Sequence, residues 1–128
     1  MTQPVPALVL RRVPPDRVHL ARTLAPDAPD DAGGVWWELV DIAGAFDRAA
    51  TGVALTSTDA LGVTRVLALV AVGTPDVDPV PQLLLELVAA LRCSDATAVE
   101  MRCGRPDVLA RLQTEDAEQV GDLVVVRF

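Results

Sequence analysis

Residues 67–91, LALVAVGTPDVDPVPQLLLELVAAL, decide how this chain folds. Leu67 to Val72 is apolar without interruption, the texture of a strand covered on both faces. Val80, Leu84, Leu87, Val88 and Leu91 recur at helical spacing, with Gln82, Glu86 and Arg92 off that stripe, so 78–92 reads as an amphipathic helix. Asp78 is placed to cap it and Pro79 to occupy its first position. Strand, short loop and helix in this order form a layout that holds phosphate on loop amides and a helix N-terminus. Yet the loop carries Pro75, Asp76, Asp78, Pro79 and Pro81, where a phosphate calls for glycines and a basic residue. The frame of an anion site is present without its chemistry.

Upstream, Ala7 to Val13 is β-prone, and Pro14 and Pro15 open a short helical stretch, PPDRVHLARTL. Residues 25–34 (APDAPDDAGG) read as a loop. Val35 to Asp41 (VWWELVD) is strand-like, followed by a turn near Gly44 and a weak helical or bulged segment. Gly52 to Ser57 is another strand, Thr58 to Gly62 a turn, and Val63 to Val72 the longest β-type run. Downstream, Thr97 to Cys103 is a strand and Arg105 to Gln113 a helix. Glu118 to Phe128 gives one strand broken by a Gly-Asp turn, or two short ones. The order is β-α-β-β-β-α-β-α-β, an α/β (α+β) mixed sheet with helices on both faces, in a single domain spanning 1–128.

Composition narrows the function. Eighteen acidic against 11 basic residues give a formal charge of −7, and every basic residue is Arg. Nucleic acid is not an expected partner, because its binding rests on clustered positive charge. No apolar run reaches the ~18 residues that span a bilayer. The N-terminal residues lack a signal-peptide pattern, so a cytoplasmic location is the default expectation. Cys93 and Cys103 match no zinc or redox spacing and read as buried, reduced thiols. No metal site is expected. His19 is the sole histidine, and Ser57 and Ser94 have no nucleophile context, so nucleophilic catalysis is not expected.

The run VWWELVD, GVALT, GVTRVLALVAV resembles the central three-strand meander of the GNAT-type N-acyltransferases. PQLLLELVAALR is similar to the helix after that family's coenzyme A loop, and TAVEMRCGRPDVLARLQTEDAEQVGDLVVVRF to its closing strand, helix and strand pair. The resemblance covers 35–128 and implies a GNAT-like (acyl-CoA N-acyltransferase-like) fold with a reduced N-terminal helical region. Three departures bear on chemistry. The family's diphosphate loop, Arg/Gln-x-x-Gly-x-Gly/Ala, would set its glycines near Asp76, Asp78 and Val80. Here Pro75, Pro79 and Pro81 each remove a donor, and a like charge across a few ångströms costs on the order of 1–4 kcal/mol near a surface. Asp78 would instead satisfy the helix's own N–H groups. The tyrosine that the family often uses on its last helix corresponds to about Leu112, and the chain has no Tyr. Only PPDRVHLARTL and an acidic loop stand where two acceptor-site helices are usual.

The resulting expectation is a catalytically degenerate GNAT-like domain acting through protein contacts, with a partner or as a homodimer. An exposed strand edge near either terminus would supply the contact. Catalytic residues and cofactor are expected to be absent, with Gly73, Pro75, Asp76, Asp78 and Pro79 forming the degenerate loop. The alternative is an acetyl-CoA-dependent N-acyltransferase that binds its donor through the backbone of Leu69, Val70, Ala71 and Val72. A second alternative is an unrelated α/β module binding a small ligand. Trp36 and Trp37 point to opposite faces of one strand; one enters the core, and the other packs or serves as an interface anchor. Among the scattered carboxylates Glu38, Asp41, Glu86 and Glu100, Glu100 could face a groove as a general base; a solvated strand-face residue is the plainer reading. Asp27–Asp31 has no regular ligand spacing and reads as a solvated loop.

Overall fold

A computed structural model describes residues 8–30, 33–41, 50–72, 78–113 and 117–128. The elements run β1 (Leu8–Arg12), a 3-10 turn (Pro15–Arg17), α1 (Val18–Leu24), β2 (Val35–Asp41), β3 (Ala50–Thr58) and β4 (Val63–Ala71). They continue with α2 (Val80–Arg92), β5 (Ala98–Arg102), α3 (Pro106–Gln113), β6 (Ala117–Val120) and β7 (Leu123–Arg127). The expected segment after Gly44 lies outside the described residues. So do Gly73, Pro75 and Asp76.

The strands form one seven-stranded sheet in the order β1-β2-β3-β4-β5-β7-β6. Every neighbouring pair is antiparallel except β4 and β5, which are parallel. A parallel pair needs a crossover, and α2 supplies it. The C-terminal segment resolves into two strands, because Gly121 turns the chain at a φ of 63°. The sheet's edges are β1 and β6, one towards each end of the chain.

Alternation along the strands feeds two hydrophobic clusters. On one face Leu84, Leu87, Val88 and Leu91 of α2 meet Val108 and Leu112 of α3 over Val99, Met101, Val124 and Val126. On the other, Ala21 of α1 and Ala25 cover Trp36, Val53 and Leu55. Helices thus lie on both faces. Gly52 lets α2 come close: a Cβ there would sit 3.0 Å from Leu83 Cδ2 and 3.3 Å from the Val70 carbonyl oxygen.

Both indoles are buried within the chain, Trp36 in one cluster and Trp37 in the other. Trp37 Nε1 donates to Thr56 Oγ1 at 2.9 Å. Guanidinium groups cover both rings, Arg22 over Trp36 at 5.7 Å and Arg12 over Trp37 at 5.4 Å. Packing therefore accounts for both, and neither ring is left exposed as a contact anchor. Cys93 is exposed rather than buried, while Cys103 is buried, and both are free.

Candidate functional site

β4 and β5 pair only from Val63 to Arg65, against Ala98 to Glu100. Immediately beyond, the β3–β4 register slips, so Leu67 is an extra residue on β4 between Val66 (opposite Thr56) and Ala68 (opposite Leu55). A bulge bends the strand that carries it and increases its local twist. Here the bend coincides with the point where β4 leaves β5. From Val66 to Ala71, β4 keeps β3 on one side and, among the described residues, has no strand on the other. The sheet opens into a groove of about 690 Å³, floored by Val66, Leu67, Ala68 and Leu69 and walled by Met101 and Cys103. Along this floor the β4 main chain has, among the described residues, no ladder partner for the N–H and C=O groups on its β5 side. Such an edge can pair an extended amide-bearing ligand in place of a strand.

Of the donor-strand residues expected from the sequence, Leu69 lines the groove, and Val70 and Ala71 continue its open edge. Val72 does not: it lies just past the strand, and its N–H donates to the Thr51 carbonyl at 2.7 Å.

At the closed end, Glu100 lines the groove and its carboxylate meets Arg65 Nε at 3.2 Å. Arg65 also reaches Asp59 Oδ2 at 3.1 Å. Among the described residues lining the groove, Glu100 is the one carboxylate. Glu38 is buried elsewhere and bound by Arg11 Nε at 2.7 Å and Arg17 Nη2 at 3.3 Å, a structural ion pair on the α1 side. His19 is exposed on α1 and away from the groove. Leu112 is fully buried in the core, so its position could not present an acid to a ligand without reorganisation.

At the open end stands the N-terminus of α2, and the structure corrects its expected start. The helix begins at Val80 with Pro79 as its cap residue, not at Pro79 with Asp78 as cap. Asp78 nonetheless accepts the Val80 N–H through Oδ1 at 3.1 Å. Its other oxygen takes a hydrogen bond from Arg105 Nη2, which also donates to Asp107 Oδ2 at 2.7 Å. Arg105 lines the same groove. Arg105 thus brings a guanidinium to the start of α2 from 27 residues further along the chain. The Arg105 hydrogen bond, then that of Val80, holds the Asp78 carboxyl below the ordinary carboxylate range. Asp107 is lowered chiefly by the same guanidinium, and Arg105 is raised in turn by both carboxylates.

Among the described residues no cluster could hold a metal ion, and no helix is long and apolar enough to cross a membrane.

No family model matches the sequence, and no curated protein matches it either. Solved structures do match the fold. A GNAT family acetyltransferase from Brucella melitensis in complex with acetyl-CoA is 12% identical with a TM-score of 0.67, covering 95% of this chain and 88% of that one. A GNAT family N-acetyltransferase from Escherichia coli in complex with CoA is 15% identical with a TM-score of 0.65, covering 99% and 84%. An IAA acetyltransferase from Bacillus cereus is 11% identical with a TM-score of 0.62, covering 95% and 100%. The fold is that of the GNAT-type N-acyltransferases, so an unrelated α/β module is set aside.

Proposed function

We propose that the protein transfers an acyl group from a coenzyme A thioester to an amine. The observation that carries this reading is the parting of β4 from β5 at the Leu67 bulge, which leaves an open strand edge along a groove. It is supported by a fold shared with acetyltransferases described in complex with CoA or acetyl-CoA. The expectation of no cofactor gives way to an acyl-CoA donor, the alternative reading of the sequence. The donor's pantetheine amides pair with β4 from Val66 to Ala71, and the thioester lies towards the closed end near Glu100.

The chemistry needs few side chains. An amine nitrogen attacks the thioester carbonyl carbon, and the carbonyl oxygen gains negative charge. A backbone N–H of the open β4 edge is the donor available to stabilise that charge. Collapse breaks the C–S bond and expels a thiolate. With an ordinary thiol pKa of about 8.5, a thiolate leaves near neutral pH without a dedicated acid, in keeping with a chain that has no Tyr. The proton lost by the amine passes to the Glu100 carboxylate, which Arg65 orients, and from there to solvent.

Glu100→Gln tests this assignment. The expected result is a loss of about a hundredfold or more in kcat with KM little changed, the usual scale for a lost general base. The product should be followed by mass, because Cys93 is exposed and would react with thiol reagents. Undiminished turnover in the variant removes Glu100 from the mechanism.

A second reading, a catalytically degenerate domain working through protein contacts, is favoured by one observation: Asp78 occupies the helix N–H that a phosphate would take. A partner or second copy would then add to the β1 or β6 edge. Failure of acetyl-CoA to bind at millimolar concentration, read as no thermal shift, would favour it.

A further inference from the structure

Resting on the acyl-donor reading, we propose that the groove recognises its thioester by the neutral pantetheine arm alone, the phosphates of coenzyme A adding nothing to affinity. The donors of the first turn of α2 can be counted among the described residues. Pro79 and Pro81 have no N–H, the Val80 N–H is given to Asp78, and the Leu83 N–H donates to the Pro79 carbonyl at 2.9 Å. That leaves Gln82 as the remaining donor of the first turn among the described residues. A diphosphate needs several such donors converging on it.

Charge points the same way. Arg105 lines the groove beside the start of α2, and it is engaged by two carboxylates, Asp78 and Asp107. The three groups together carry a net negative charge, so the multiply charged phosphates of coenzyme A gain little there and meet repulsion from both aspartates. The arm faces no such obstacle. Residues 66–71 span roughly 20 Å at ~3.3 Å per residue, comparable to an extended pantetheine arm, along an apolar floor with an open backbone edge. The specificity-determining residue is Asp78, which takes the Val80 N–H and, together with Asp107, engages Arg105. A donor whose phosphate lies outside the groove, such as pantetheine tethered to a carrier, is accepted as readily as the free cofactor.

Calorimetry with acetyl-CoA, acetyl-4′-phosphopantetheine and acetyl-pantetheine tests this. The three dissociation constants are expected to agree within about threefold, with little dependence on salt. Asp78→Ala releases the Val80 N–H and one of the two hydrogen bonds of Arg105 Nη2 while Asp107 keeps the other, so acetyl-CoA should tighten about tenfold while acetyl-pantetheine does not change. Acetyl-pantetheine binding also reports that the variant is folded. Wild-type binding of acetyl-CoA tenfold or more tighter than acetyl-pantetheine would overturn the inference and leave the acyl-donor reading standing. An absence of tightening in Asp78→Ala would also count against it. No binding by any of the three would overturn the acyl-donor reading itself.

Discussion

Asp59, Asp78 and Asp107 have carboxyl groups held below the ordinary carboxylate range by hydrogen bonds. Asp59 Oδ1 accepts the N–H groups of Leu61 at 2.9 Å and Val63 at 3.1 Å, closing the turn from which β4 starts. The Val63 hydrogen bond is the largest cause of its lowered pKa, against a smaller opposing effect of desolvation. Asp78 and Asp107 are lowered by Arg105. A carboxyl with a depressed folded-state pKa binds fewer protons folded than unfolded, so its stabilisation is complete above the unfolded value and fades as pH falls. The melting temperature should therefore be nearly flat from neutral pH down to about 5 and fall below about 4, and Asp59→Asn should flatten that acid limb. A melting temperature rising on acidification would contradict the assignment. Thr56→Val removes the acceptor of the buried Trp37 indole N–H. Leaving that donor unpaired should cost about 1–3 kcal/mol in urea unfolding.

The elements depend on close approach as well as on pattern. Gly52 leaves room for Leu83 of α2 against β3 and β4, and the Val70 carbonyl at 3.3 Å cannot retreat without disturbing the β4 ladder. Gly52→Val should destabilise by about 1–3 kcal/mol or more through overpacking, measured by chemical denaturation. Much of this level was legible in the residues. The bounds of β2 are those expected, and four of the five expected stripe positions on α2 are buried, with Val80 partly so and Leu83 added because it reaches Gly52. The groove was legible only as an inference from resemblance. The Leu67 bulge leaves no mark in an all-apolar run, since either register of such a run looks equally buried. Arg105 was invisible as a partner of Asp78 because 27 residues and a helix separate them in sequence. The expectation that an Asp would occupy the α2 terminus followed from capping chemistry, which is local; its second bond, to Arg105, is tertiary.

At the scale of the molecule, a sheet that is continuous except where β4 leaves β5 concentrates its unpaired backbone there and at the two edges. For the proposed acyl transfer, a net charge of −7 would favour a cationic amine acceptor, so KM for a polyamine should rise with ionic strength while a neutral amine shows little change. The groove's role rests on the β4 edge pairing with the donor. Amide hydrogen exchange with and without acetyl-CoA reads that directly. Saturating acetyl-CoA should slow exchange within residues 66–71 and leave the already paired β2–β3 ladder unchanged. Unaltered exchange across 66–71 under saturation, or protection confined to other elements, would contradict a strand-paired thioester.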